Sequence, residues 1–251
     1  MIMQKEKQTG SAIIWILIAV ALFAALGYAF NSTSRTSTSI LSDAEADAYA
    51  TQIIAYGNEV KAAVKRLQLR GCSDTEISFE NNVVSGYTNP NAPTDKRCHV
   101  FDIAGGGLTY KNLDSNWLDS DASSYANYGE TLFVLMCPLG IGTDLDDVTG
   151  SACNTTTNTL EYGDLAFVTS FIKKEICEAL NKKIFQDSTI PTDGLNSYYN
   201  NKFAGNYEIV TAQSVILGST YTGKRSVCHT VSGGTILGVG NYSYFNILIA
   251  R

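Results

Sequence analysis

The feature that most constrains this chain is an uninterrupted apolar stretch, Ala12–Phe30, close to its N-terminus. The stretch holds no charged residue and lies between Lys7 and Arg35. Its nineteen residues would form a helix roughly 28 Å long, which matches the hydrocarbon thickness of a bilayer. The sequence therefore predicts a transmembrane helix over residues 11–30.

Two other interpretations of this stretch fit the sequence less well. A buried core helix normally keeps one polar face, which these residues lack. A cleavable secretory signal has a shorter apolar region followed by a small-x-small cleavage site, whereas bulky Phe30 follows Ala29 here. We therefore expect a retained single-pass anchor. Lys5 and Lys7 place its N-terminus in the cytoplasm, so that the chain from residue 31 onward lies outside the membrane.

A second helix is predicted over residues 44–70, after a Ser/Thr-rich joint at residues 31–40. Ser42 and Glu45 have the spacing of a capping box at its start. Apolar residues then recur at every third or fourth position as far as Leu67, and Gly71 provides a stop signal. The chain thus divides into a basic leader (1–10), a membrane helix (11–30), a joint with an amphipathic helix (31–70) and an exported head (71–251).

The sequence of the head predicts mainly short strands separated by turns. Predicted strands cover residues 76–79, 83–84, 99–103, 108–110, 131–137, 207–216, 225–231, 235–238 and 242–250, and a helix covers 165–183. The predicted fold class is α+β: a long N-terminal helical stem, partly in the membrane, with an antiparallel β-rich, disulfide-bearing globular head.

Six cysteines all follow the predicted membrane helix: Cys72, Cys98, Cys137, Cys153, Cys177 and Cys228. An even number on the exported side indicates disulfides, although six cysteines allow fifteen pairings. We predict Cys72–Cys98, Cys137–Cys153 and Cys177–Cys228. Zinc is a weaker interpretation, because no pair has C-x-x-C spacing and the only histidines, His99 and His229, each follow a cysteine.

Charge and motifs exclude several functions. A net charge of −6 and a pI near 4.9 disfavour nucleic-acid binding, which needs a basic face. The sequence lacks the G-x-S-x-G and H-E-x-x-H motifs of hydrolases, so we predict a protein without catalytic residues. One loop carries three acidic residues, Asp144, Asp146 and Asp147, whose oxygens could bind calcium. The candidate is weak, because the loop lacks EF-hand spacing. No other cofactor is predicted.

The order of segments resembles a known family. A basic leader ending in Gly10, an apolar helix, an amphipathic helix and a cysteine-bearing β-rich head occur in this order in the type IV filament superfamily, which comprises type IV pilins and the pseudopilins of type II secretion. The resemblance covers about the first 70 residues, and the head only in general style. It implies residence in the bacterial inner membrane, with the head periplasmic or extracellular, and cleavage by a prepilin peptidase between Gly10 and Ser11.

The resemblance also implies assembly with copies of itself or with other pilin-like subunits through the N-terminal helix. The residues placed there are Ile13, Ile14, Trp15, Leu17, Ala21 and Ala25. The chain departs from the family pattern in one respect: Ser11 and Trp15 occupy the positions where the family usually has phenylalanine and glutamate. In this respect the chain resembles the large minor pseudopilin at the filament tip, which also lacks that glutamate. Cleavage after Gly10 therefore stays open.

An alternative function stays open as well. The chain would then be an N-terminally anchored extracytoplasmic module that binds a glycan or a protein and does not assemble into filaments. The Tyr- and Asn-rich loop over residues 196–207 would supply its amphipathic contacts. This alternative predicts an uncleaved anchor, whereas the filament interpretation predicts a new N-terminus at Ser11.

Overall fold

The computed structural model describes residues 16, 18–20, 41–138, 163–192, 202–207, 214–215, 223–231 and 238–250. The chain divides into two units, Met1–Leu41 and Ser42–Arg251. In the first unit, residues 16 and 18–20 are helical with exposed side chains. Within the described ranges, no helix has both the length and the apolar character that crossing a bilayer requires. The rest of the predicted membrane helix lies outside the described residues.

The second unit is an α+β fold, as predicted. Its elements are α1 (Asp43–Leu69), β1 (Thr131–Pro138), β2 (Asp164–Ile172), α2 (Lys174–Phe185), β3 (Ser214–Val215), β4 (Ser226–Thr230) and β5 (Tyr242–Ile249). They form a sheet of order β3-β1-β2-β5-β4. The four strands β1, β2, β5 and β4 are antiparallel, and the short β3 pairs in parallel with the end of β1.

Helix α1 begins and ends where its local signals predict. The hydroxyl of Ser42 accepts a hydrogen bond from the Glu45 N–H at 3.3 Å, and the Ser42 N–H donates to the Glu45 carboxylate at 3.1 Å, which completes the capping box. At the other end, Gly71 has a φ of +95°, which lets the Cys72 N–H turn back and bond to the Leu67 carbonyl at 3.1 Å. The helix is therefore specified largely by its own residues.

One face of α1 lies on the sheet, and the contact at Gly57 is tight. A Cβ atom at this position would come within 3.3 Å of both the Phe167 ring of β2 and the Asn246 amide of β5. The preceding residue of α1, Tyr56, also contacts Phe167. The two rings pack edge-on, with centroids 5.9 Å apart. Glycine lets the helix backbone reach the sheet at this point, which fixes the height of α1 above β2.

A hydrophobic core fills the other face of the sheet. Because side chains alternate along a strand, the neighbours of the helix-facing residues point the opposite way. This core consists of Leu132, Val134, Met136, Ala166, Val168, Val227, Phe245 and Ile247 from the strands, together with Leu113, Leu118, Ala122, Phe171 and Val231. The sheet is thus covered on both sides.

The predicted helix over 165–183 is wrong in its first half, which is strand β2. Leu165, Val168, Phe171 and Ile172 recur at helical spacing, but all nine residues of β2 are buried. In a strand buried on both faces, apolar residues fill every position and therefore also match a helical template. The helix starts only at Lys174, after β2 ends.

The predicted strands between residues 71 and 130 are also wrong, because this segment consists mostly of turns. Its strand-like pairing is limited to isolated bridges, such as the one between Ser78 and His99. Side chains satisfy the backbone instead: the Asn89 amide donates to the carbonyls of Thr75 and Ile77 at 2.9 and 2.8 Å. Such side-chain bonds compete with strand pairing.

Two of the three predicted disulfides are confirmed. Cys72–Cys98 links the end of α1 to the turn segment, with Cα atoms 5.8 Å apart. Cys177–Cys228 links α2 to β4, with Cα atoms 5.4 Å apart. Of the third predicted pair, Cys137 lies in β1 and Cys153 lies outside the described residues. The confirmed bonds attach the end of α1 to the turn segment and α2 to the sheet.

Replacing Gly57 with leucine tests the close approach of α1. We expect Gly57→Leu to lower the free energy of unfolding by about 1–3 kcal/mol, because the added side chain overpacks against Phe167 and Asn246. The matched control is Asn58→Leu, at the exposed neighbouring position, which should change stability by less than about 0.5 kcal/mol. Chemical unfolding of the detergent-solubilised chain, followed by circular dichroism, measures both. Equal effects would contradict the assigned contact.

Candidate functional site

Three alanines and a leucine form a row on the face of α1 that points away from the sheet, beside the exposed Glu59 and Arg66. Ala48, Ala55, Ala62 and Leu69 are exposed and occupy every seventh position. This spacing keeps them along one side of a helix. Within this row the apolar Leu69 is 78% exposed. We call these four residues the alanine face. Small residues at this spacing allow a second helix to pack closely.

The outer edge of β1 is closed by two tyrosine hydroxyls. Tyr110 Oη accepts from the Thr131 N–H at 3.0 Å and donates to the Thr131 carbonyl at 2.8 Å. Tyr87 Oη accepts from the Phe133 N–H at 3.1 Å. Both hydroxyls are protonated at neutral pH and can donate, and burial raises their pKa further. The Phe203 N–H pairs with the Phe133 carbonyl at 2.9 Å.

The edge of β4 is closed by one amide side chain from α2. Asn181 is fully buried; its Oδ1 accepts from the Cys228 N–H at 2.9 Å, and its Nδ2 donates to the Cys228 carbonyl at 2.8 Å. Further along, the Thr230 N–H donates to the Pro191 carbonyl at 2.8 Å. These bonds occupy the backbone groups with which an added strand would pair. The sequence carries no local signal for the role of Asn181 or of the two tyrosines.

Both histidines have surroundings dominated by packing. His229 is fully buried in β4, where its ring lies 6.1 Å from that of Phe245, and burial lowers its pKa to about 4. His99 is 6% exposed beside the Cys72–Cys98 bond, and burial also lowers its pKa. A buried imidazole with a lowered pKa is neutral at pH 7.

Ser170 and Lys173 have the S-x-x-K spacing that serves catalysis when both residues lie on one helical turn. Here Ser170 lies in β2, and its buried hydroxyl is 3.0 Å from that of Ser243. Lys173 is the residue that precedes α2. The spacing therefore falls on a strand and the following helix cap.

Several predicted site residues lie outside the described residues: Gly10, Ser11, Ile13, Ile14, Trp15, Leu17, Ala21, Ala25, Asp144, Asp146, Asp147 and Cys153. Among the described residues, no cluster of three or more acidic, histidine or cysteine side chains is arranged to hold a metal ion. The predicted contact loop 196–207 is described from residue 202 on. There Phe203 and Tyr207 are buried, with ring centroids 5.0 Å apart, and they pack in the head.

Comparisons with known proteins add no relative. No family model matches the chain. Searches of curated proteins and of solved structures find no match to it either. The functional conclusion therefore rests on the sequence and on the geometry described above.

Burial of His229 predicts a pH-dependent stability. Its pKa is about 4 in the folded protein and about 6.5 when unfolded, so between these values the unfolded state binds a proton that the folded state excludes. Stability should therefore fall as the pH drops through this range. From pH 7 to pH 4.5 we expect this histidine to cost about 2 kcal/mol of unfolding free energy.

The His229→Gln variant isolates this contribution, because glutamine does not titrate while every other acidic and basic group stays the same. Denaturant unfolding of both proteins at pH 7 and pH 4.5 gives the comparison. The parent should lose more stability than the variant over this interval. An equal loss would show that His229 does not sense pH through its burial.

Proposed function

We propose that this chain is a membrane-anchored, pilin-like subunit that assembles through its N-terminal helices and carries an exported head for partner or surface contacts. The apolar stretch over residues 11–30 would anchor it in a bacterial inner membrane, with the head outside. Prepilin peptidase would process it between Gly10 and Ser11. The chain acts by assembly in this proposal and has no catalytic role.

The observation that carries the proposal is the division of α1 into two apolar or small faces. One face is buried on the head, with Ile53, Val60 and Leu67 each no more than 1% exposed. The opposite face is the alanine face. Alanine favours helix formation at exposed positions, whereas the exposed Leu69 adds nothing to the packing of α1 on the head. A helix that also packs against a neighbouring helix needs small side chains there.

Two further observations favour assembly through α1 over assembly by adding strands to the edges of the sheet. The edges of β1 and β4 are occupied by the hydroxyls of Tyr87 and Tyr110 and by the amide of Asn181. Added strands would have to displace these bonds, leaving buried polar groups without partners. Self-association through α1 requires no such loss, because the alanine face carries no hydrogen bond to be broken.

Site-specific photocrosslinking in the native membrane tests the proposal. The photoreactive residue p-benzoylphenylalanine replaces Ala62 at the centre of the alanine face. The matched control places it at Ser124, which is also exposed but belongs to the head. We expect irradiation to link the Ala62 variant to a second copy of the chain or to another chain with an N-terminal apolar helix. Mass spectrometry of the product identifies the partner.

The control variant should give no such product, because Ser124 lies outside the alanine face. A product at both positions would indicate non-specific proximity. Absence of a product at position 62, in membranes that contain the folded chain, would contradict assembly through α1 and favour the anchored binding module.

A further inference from the structure

A groove of about 530 Å³ lies between α1 and the segment 111–117. Its floor is the helix-facing side of the sheet, formed by Thr131, Phe167 and Thr169, which are fully buried. Tyr56 of α1 and Trp117 add aromatic rings to its walls. The volume lies in the range of small-molecule sites in proteins, which bind their ligands on aromatic walls with a few polar groups.

The wall opposite α1 is the segment that contains Lys111, and the Tyr56 hydroxyl holds this segment in place. This oxygen accepts from the Lys111 N–H at 3.0 Å and donates to the Thr109 carbonyl at 3.2 Å. The Tyr56 hydroxyl is protonated at neutral pH and can both donate and accept, and burial raises its pKa to about 12. Thr131 adds a third bond, from its hydroxyl to the Lys111 carbonyl at 2.8 Å. The groove is thus formed in advance of any ligand, which lowers the cost of binding.

Two polar atoms of the lining have unused hydrogen-bonding capacity. The Thr169 hydroxyl and the Trp117 indole N–H are shielded from solvent and find no hydrogen-bond partner among the described residues. Thr169 lies two residues from Phe167 on β2, so its side chain shares the groove side of the sheet. Native proteins rarely leave buried polar groups unsatisfied, and each such group calls for an explanation, such as a bound water or ion.

The rim indicates the class of ligand. Gln52, Glu59 and Asn112 are exposed there and offer two amides and a carboxylate. The charges on the lining are those of Glu59, Asp114 and Lys111, and the Lys111 ammonium lies 4.9 Å from the centre of the Tyr56 ring. One excess negative charge disfavours anionic ligands. A ligand with many hydroxyls and an apolar C–H face matches both the amides and the aromatic rings.

We propose that this groove binds a neutral saccharide, with one sugar ring against Trp117 and its hydroxyls bonded to Gln52 and Asn112. The site belongs to the head and is complete within one chain. It does not rest on the proposed assembly through α1. Failure of the saccharide proposal therefore leaves the assembly proposal standing, and the reverse holds as well.

Tryptophan fluorescence tests the groove directly, because the chain has only two tryptophans, Trp15 and Trp117. In the full chain with Trp15→Phe, Trp117 is the sole tryptophan fluorophore. The protein is held in lauryldimethylamine oxide, a detergent without a sugar headgroup. The probes are the methyl glycosides of glucose, galactose, rhamnose and N-acetylglucosamine. We expect at least one to change the Trp117 emission in a saturable manner.

Two variants in the same background locate the binding. Gln52→Ala and Asn112→Ala should each weaken the apparent affinity about tenfold, by removing a hydrogen bond from the rim. The matched control Asn58→Ala changes an exposed residue of α1 that does not line the groove, and it should bind like the parent. No saturable change with any probe would overturn the proposal, as would affinities that the two rim variants leave unchanged.

Discussion

The contact of α1 with the sheet at Gly57 is the constraint on which the rest of the head depends. A Cβ atom at position 57 would lie 3.3 Å from the Phe167 ring and the Asn246 amide, so a side chain there would require these neighbours to shift. The contact buries the face of α1 that carries Ile53, Val60 and Leu67. The opposite face of α1 stays exposed, and the groove lies beside Tyr56, the residue that precedes Gly57. One glycine thus links the core, the alanine face and the groove.

The sheet edges follow a second physical rule, that buried backbone groups must find partners. An open four-stranded antiparallel sheet has two edges, and each is an available site for an unwanted strand. Here hydroxyls of Tyr87 and Tyr110 serve β1, while the amide of Asn181 serves β4. The Cys177–Cys228 bond lies next to Asn181 in the fold and keeps α2 against the edge that it closes. The backbone groups bonded in this way are not free to pair with an added strand.

Local signals in the sequence were sufficient for some elements and insufficient for others. Helix α1 could be predicted with its ends, since the capping box at Ser42 and the stop at Gly71 act within a few residues. Strand β2 could not, because full burial on both faces removes the alternation that identifies strands. The segment after Cys72 resisted prediction for another reason: side chains such as Asn89 satisfy its backbone in place of strand partners. The groove was also hidden in the sequence, since it arises where Tyr56 meets Lys111, 55 residues further along the chain.

The central claim is that an N-terminal helix, processed and released from its leader, joins this head to an assembly. The most direct test is the mass of the N-terminal peptide of the membrane-extracted chain, made with and without a prepilin peptidase. The account predicts a new N-terminus at Ser11 that appears only with the peptidase. An N-terminus at Met1, or one lacking only the initiator, in both samples would contradict it, as would a start near residue 31, which would identify the apolar stretch as a cleaved secretory signal.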